Sequence, residues 1–112
     1  MECLDPQEQF AEDLAAVCFE SAKACGYFPG EVFGKARNLG AVETARRMLH
    51  ESAPGYYFRL LCQKRRLDLS VEAQVVRPEY RQFFTPRELE TATTRLHPAT
   101  QRAHAVFSTS TS

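Results

Sequence analysis

Glycine and proline interrupt this sequence roughly every 10 to 15 residues, and that spacing limits every regular element to a short length. Between the interruptions, apolar residues recur three, four and seven positions apart, which places them on one face of a helix. Only Leu67-Asp68-Leu69 alternates as a strand would, and a lone strand has no partner to pair with. The sequence therefore predicts an all-α fold, a compact bundle of six to seven short helices.

Capping residues mark where these helices begin and end. Asp5 and Pro6 open the first helix, with Glu8 placed to complete a capping box, and Gly26 ends it. The remaining helices are predicted over residues 29–38, 40–52, 56–66, 70–77, 78–84 and 86–96.

The chain has 112 residues, which suits a single domain. We expect one helical domain over residues 1–97, because the residue before a proline avoids the helical region and His97 precedes Pro98. From Pro98 onward the sequence loses its periodicity and closes in alternating serine and threonine. Residues 98–112 are therefore predicted to form a disordered tail.

The charge and apolar patterns exclude several classes of protein. Formal net charge is zero, so the whole molecule has no electrostatic attraction to nucleic acid or to an anionic membrane. No apolar run approaches the roughly 18–20 residues of a membrane span, and the first helix carries carboxylates where a signal peptide needs apolar residues. The four cysteines form no C-x-x-C pair and are expected to be reduced, buried small hydrophobes. These features predict a cytoplasmic protein.

The sequence contains no pattern that identifies an active site. Its three histidines, His50, His97 and His104, show no metal-ligand spacing with one another or with cysteine. The glycines are spaced for turns and do not form a phosphate-binding loop. We therefore predict no catalytic residue, no metal and no cofactor, and a protein that is not an enzyme.

Four polar residues are predicted to have structural roles. Thr85 and Glu88 form a capping box around Pro86, and Ser70 caps the helix that follows it. Asp68 lies between two leucines, so it is expected to be half-buried, capping the next helix or pairing with an arginine such as Arg46 or Arg66. On that basis Asp68→Asn should cost on the order of 1–3 kcal/mol.

Basic residues are the main candidates for binding. Residues 1–31 hold seven acids and one base, so the rest of the chain is basic by difference. Clustered cations release counterions from phosphates, and a tyrosine beside them can stack on bases. However, cations at helix C-termini are also explained by the helix dipole. The candidates for contact with nucleic acid or a partner are Arg46, Arg47, Tyr56, Arg59, Lys64, Arg65 and Arg66.

Two stretches resemble an uncharacterised bacterial all-helical module. The first is "GYFPGEVFGKARNLGAVETARRML" and the second is "RLDLSVEAQVVRPEYRQFFTPRELETATTRL", so the resemblance covers residues 26–96. The module often has a tryptophan-containing helix before its Arg-Leu-Asp-Leu element, where this chain has Cys62-Gln63-Lys64-Arg65 and no tryptophan. It is found in small stand-alone proteins and appended to predicted nuclease or restriction-type proteins.

The resemblance implies a non-enzymatic interaction module. Such a module would bind or regulate a bacterial protein partner involved in defence, nuclease activity or mobile elements. Direct nucleic-acid binding through the basic helix ends, Arg46, Arg47, Lys64, Arg65 and Arg66, is the alternative. Neither interpretation predicts an oligomeric state.

Overall fold

The computed structural model describes the backbone of residues 5–108 and the side chains of residues 5–97. Within that part of the chain the regular elements are all helical, which confirms the predicted all-α fold. The α-helices are α1 (Pro6–Cys25), α2 (Gly30–Leu39), α3 (Ala41–Leu49), α4 (Tyr56–Lys64), α5 (Val71–Val75) and α6 (Pro86–Ser108). Two 3-10 helices, Leu67–Leu69 and Pro78–Phe83, lie on either side of α5. No helix in the described residues is both long enough and apolar enough to cross a membrane.

The ends of α1 are those that the sequence predicts. The Glu8 carboxylate accepts a hydrogen bond from the Asp5 backbone N–H at 3.3 Å. At the other end, Gly26 adopts the left-handed conformation with φ 72°, and its N–H donates to the Ala22 carbonyl at 3.1 Å. A glycine takes this conformation without a Cβ clash, so it ends the helix at little cost.

The main core forms where α1, α3, α5 and α6 meet. The Phe10 ring of α1 lies edge-on to Tyr80 and Phe84, with centroids 5.0 and 5.8 Å away. Burying a side chain of this size stabilises the fold by about 2–3 kcal/mol. The other buried apolar residues of this core are Leu14, Ala41, Ala45, Leu49, Val71, Val75 and Ala92.

A smaller apolar cluster holds α4 against the rest of the bundle. It consists of Tyr57 and Leu61 of α4 together with Leu69 of the first 3-10 helix. The Tyr57 hydroxyl donates to the Leu69 carbonyl at 2.8 Å, so the polar end of this buried ring has a partner. Burial raises the pKa of Tyr57, although the Ser21 hydroxyl beside it lowers it in part.

Helix α4 ends earlier than predicted. Its last residue is Lys64, and Arg65 follows in the left-handed conformation with φ 60°. The Arg66 N–H donates to the Leu61 carbonyl at 2.9 Å, which closes the turn in the way a glycine usually does. Consequently Lys64, Arg65 and Arg66 do not share one helical turn.

Helix α6 is longer than predicted. The sequence places its end at His97-Pro98, whereas the helical backbone continues to Ser108. The preference of a residue before proline for extended backbone is a bias rather than a prohibition. Of the predicted disordered tail, the side chains after His97 and the whole of residues 109–112 lie outside the described part of the chain.

Candidate binding surfaces

Arg46 was predicted to contact nucleic acid or a partner. In the structure its side chain instead connects α3 to the start of α6. Its Nη2 donates to the Phe83 carbonyl at 2.8 Å, and its Nε lies 3.7 Å from Glu88 Oε1. Helical periodicity puts Arg46 on the side of α3 opposite its buried residues, but a long arginine side chain can still reach a neighbouring helix. Arg46 therefore joins two helices.

Glu88 is the centre of a cluster of polar contacts. Its Oε1 accepts from the Thr85 N–H at 2.9 Å and its own N–H donates to Thr85 Oγ1 at 3.1 Å, so the reciprocal bonds of the predicted capping box are present. Its Oε2 lies 2.8 Å from His50 Nε2. Burial by itself raises the pKa of Glu88, but the bonds from Thr85 and His50 and the charge of Arg46 bring it below its ordinary value. The sequence predicted the cap but gave no sign of these two distant partners.

Three other candidate cations are engaged with nearby groups. Arg47 pairs with Glu43 at 2.9 Å, one helical turn away. Arg59 donates to the Pro54 carbonyl at 3.1 Å. Arg66 forms a two-bond pair with Asp68, each bond 3.1 Å long.

The expectation that Asp68 is half-buried is wrong. Its side chain is 63% exposed, and its only ion-pair partner in the described residues is Arg66, itself partly exposed. The hydrogen bond from Arg66 is the largest influence on the pKa of Asp68 and lowers it. Ser70, rather than Asp68, caps α5: its Oγ accepts from the Ala73 N–H at 3.0 Å and donates to the Leu67 carbonyl at 2.7 Å.

The basic residues do not form one surface. Arg46 borders the same depression as Asp5 and Glu8 at the start of α1, whereas Arg66 lies near Glu20 and Cys25 at the other end of that helix. The twelve or more residues of α1 between these points span on the order of 20 Å. Lys64 and Arg65 remain as cations with no acid within ion-pair distance in the described part of the chain.

Tyr56, a predicted contact residue, lies at the mouth of a cavity of about 230 Å³ between α2, α3 and the start of α4. Its ring is exposed and meets Tyr27 edge-on at 5.4 Å between centroids. Thr44 lies at the buried end of this cavity, and its hydroxyl has no hydrogen-bond partner within the described structure. The sequence did not single out Thr44, although the helical spacing of α3 puts it on the same face as Ala41 and Ala45.

Three phenylalanines form a partly exposed cluster, here called the Phe19 patch. The rings of Phe19, Phe28 and Phe33 lie with centroids 5.3 to 5.5 Å apart on the side of α1 and α2 away from the main core. Phe19 is 55% exposed, and the guanidinium of Arg37 lies 5.7 Å from the centre of the Phe33 ring. The sequence indicated helical faces here but not that three rings would meet at the surface.

The buried carboxylate of Glu72 is neutralised by Arg95. Glu72 and Arg95 lie 2.9 Å apart with 2% and 9% of their side chains exposed. Arg95 also donates to the carbonyls of Met48 and Glu51. Within the described residues, no group of three or more histidine, cysteine or acidic side chains is arranged to hold a metal ion.

No family model, no curated protein and no solved structure matches this chain.

Proposed function

We propose that this chain is a non-enzymatic interaction module whose protein partner binds at the Phe19 patch. The observation that carries the proposal is the exposure of Phe19 within a cluster of three rings. A contiguous apolar patch at a protein surface is typical of a binding site, whereas single exposed apolar residues are ordinary. Aromatic residues are also enriched at the centres of protein interfaces.

The polar groups of the interior support a binding role more than a catalytic one. Glu88, Glu72 and Arg95 are engaged in contacts that hold helices together. A catalytic group must reach a substrate from a cleft, and these groups instead face one another between packed helices.

The chemistry of the patch suggests what the partner presents. Aliphatic or aromatic side chains would cover the three rings. Arg37, at the rim, has no acid within ion-pair distance in the described residues, so a carboxylate of the partner would meet it. The resemblance to the bacterial module points to a defence, nuclease or mobile-element protein as the source of that surface.

Co-expression with a candidate partner of the nuclease or restriction type, followed by size-exclusion chromatography, tests the proposal. Phe19→Ser should abolish the complex, whereas Leu39→Ser should leave it intact, because Leu39 is 42% exposed but lies outside the patch. Thermal melting shows whether both variants fold. A complex that survives Phe19→Ser would overturn the proposal, as would a wild-type dimer that Phe19→Ser converts to a monomer, since a second copy would then cover the patch.

Nucleic-acid binding is a second candidate, and Arg65 favours it. A non-glycine residue in the left-handed conformation costs about 1–2 kcal/mol, and here that residue presents a cation with no partner in the described structure. A gel-shift assay with duplex and single-stranded DNA at ~50 and ~200 mM salt tests it, because electrostatic binding weakens with salt. Arg65→Gly removes the charge while keeping the backbone. Arg87→Gln, which removes an exposed cation that is not a candidate contact, is the control. No shift at the lower salt concentration excludes this candidate.

A further inference from the structure

The cavity between α2, α3 and the start of α4 has a buried end and an open mouth. Thr44 and Tyr57 are buried, whereas Glu31, Glu51 and Tyr56 are exposed. The volume of about 230 Å³ is below the usual range for drug-sized ligands, so the cavity suits a small molecule.

The wall of this cavity includes an uncapped helix N-terminus. Gly55 precedes the nine-residue helix α4, has no side chain to cap it, and the first turn carries no acid. The first helical bond runs from the Arg59 N–H to the Gly55 carbonyl, so the preceding N–H groups, of Tyr56, Tyr57 and Phe58, have no partner in the described structure. Unpaired N–H groups and the helix dipole together favour an anion at this position.

Thr44 is a second and independent feature of the same cavity. The residue is only 1% exposed, it contributes to the cavity lining, and its Oγ1 has no hydrogen-bond partner in the described residues. A buried hydroxyl without a partner loses its hydrogen bonds to water and gains nothing in return. A ligand oxygen at the buried end would supply the missing bond.

The mouth of the cavity carries the opposite polarity. Glu31 and Glu51 both border it, and the only cation among the lining residues, Lys35, lies 3.5 Å from Glu31. Among the lining residues two carboxylates therefore stand against one ammonium group, which leaves one carboxylate available for a second cation. The rings of Tyr27 and Tyr56, in edge contact beside them, can cover an apolar body.

We propose that this cavity binds a free α-amino acid with an aromatic or large apolar side chain. The ligand carboxylate lies at the start of α4 and accepts a bond from the Thr44 hydroxyl. The ligand ammonium group lies at the mouth, near Glu31 and Glu51. The side chain packs against Tyr27 and Tyr56, so every unmatched polar group of the cavity has a counterpart on the ligand.

Isothermal titration calorimetry with L-phenylalanine as the probe tests this inference. Two further probes separate the ligand's charges, because 3-phenylpropanoate lacks the ammonium group and phenethylamine lacks the carboxylate. We expect L-phenylalanine to bind and each of the other two to bind at least fivefold more weakly. Thr44→Val, which keeps the shape of the side chain, should weaken L-phenylalanine on the order of fivefold.

Thr93→Val is the matched control, since Thr93 is exposed on α6 and is not among the residues that line the cavity. Thermal melting without ligand establishes that both valine variants are folded. Equal binding of 3-phenylpropanoate and L-phenylalanine would overturn the inference, and so would unchanged affinity in Thr44→Val or no heat with L-phenylalanine. These results are independent of the Phe19 patch, so the protein-partner proposal can fail without affecting this one.

Discussion

The Glu72 carboxylate and the Arg95 guanidinium meet 2.9 Å apart inside the bundle, where they join α5 to α6. Arg95→Met keeps most of the side-chain volume but leaves Glu72 as a buried, unpaired charge. We expect this variant to lose on the order of 3–5 kcal/mol of unfolding free energy, measured by urea denaturation. The double variant Glu72→Met, Arg95→Met should recover much of that loss. A urea denaturation midpoint of Arg95→Met close to that of wild type would show that the ion pair does not contribute to stability.

Glu88 makes the fold sensitive to acid. Burial opposes ionisation of this carboxyl, but Thr85, His50 and Arg46 outweigh burial and hold its pKa below the ordinary 4.5. A carboxyl whose pKa is depressed in the folded state stabilises that state above the unfolded pKa and loses this contribution as pH falls through the folded pKa. The glutamine of Glu88→Gln can still cap α6. The loss of unfolding free energy in this variant, relative to wild type, should therefore be largest near neutral pH and shrink below about pH 4.5. Urea denaturation of both proteins at several pH values measures this difference, and a difference that does not change with pH would contradict the prediction.

Ser70 should matter more for stability than Asp68, because Ser70 is a buried cap whereas Asp68 is exposed. Ser70→Ala removes a buried cap and leaves the Ala73 N–H unpaired, which should cost about 1 kcal/mol. Asp68→Asn only weakens an exposed ion pair, so its denaturation midpoint should be indistinguishable from wild type. Chemical denaturation of the two variants side by side tests this, and a loss of about 1–3 kcal/mol in Asp68→Asn would contradict it.

Arg65→Gly should stabilise the protein. Arginine at φ 60° carries the Cβ penalty of the left-handed conformation, and glycine removes it. The greater freedom of glycine in the unfolded chain offsets part of the gain, so the net increase should be at most about 1 kcal/mol. Arg65→Ala, which removes the charge but keeps the Cβ, is the control and should show no increase.

Cys18 should react slowly with thiol reagents in the folded protein. Burial raises its pKa to about 11, so little thiolate exists near pH 8. Cys25 and Cys62 are partly exposed and serve as internal references. Iodoacetamide labelling followed by peptide mass spectrometry should show Cys18 lagging behind both, and the difference should vanish in urea. Equal labelling rates for Cys18, Cys25 and Cys62 in the native protein would mean that α1 unfolds locally often enough to expose Cys18.

The sequence predicted local structure well because local structure depends on neighbouring residues. The end of α1 at Gly26 and the capping box of Thr85 and Glu88 each involve residues a few positions apart. Asp68 shows where this reasoning failed. Successive residues of a 3-10 turn point about 120° apart, so Asp68 faces solvent although both its neighbours are leucines.

The candidate sites were harder to predict because they depend on which helices become neighbours. Periodicity assigns Arg46 to a face of α3 but does not say that Glu88, at the start of α6, lies within its reach. In the same way, Tyr56 was predicted as a contact residue, but its position beside Thr44 depends on how α4 packs against α3. These relationships join residues 12 to 42 positions apart, a separation at which helical patterns carry no information.

The contacts of α6 also affect the order in which the bundle can form. Glu88 and Arg95 connect to partners 23 to 47 residues earlier in the chain, and these bonds secure α3 and α5 together. Before residues 86–95 are available, α5 would have to bury Glu72 without its counter-charge, which is unfavourable. During synthesis the earlier helices can therefore associate only loosely, and stable folding must wait until the first three turns of α6 have left the ribosome.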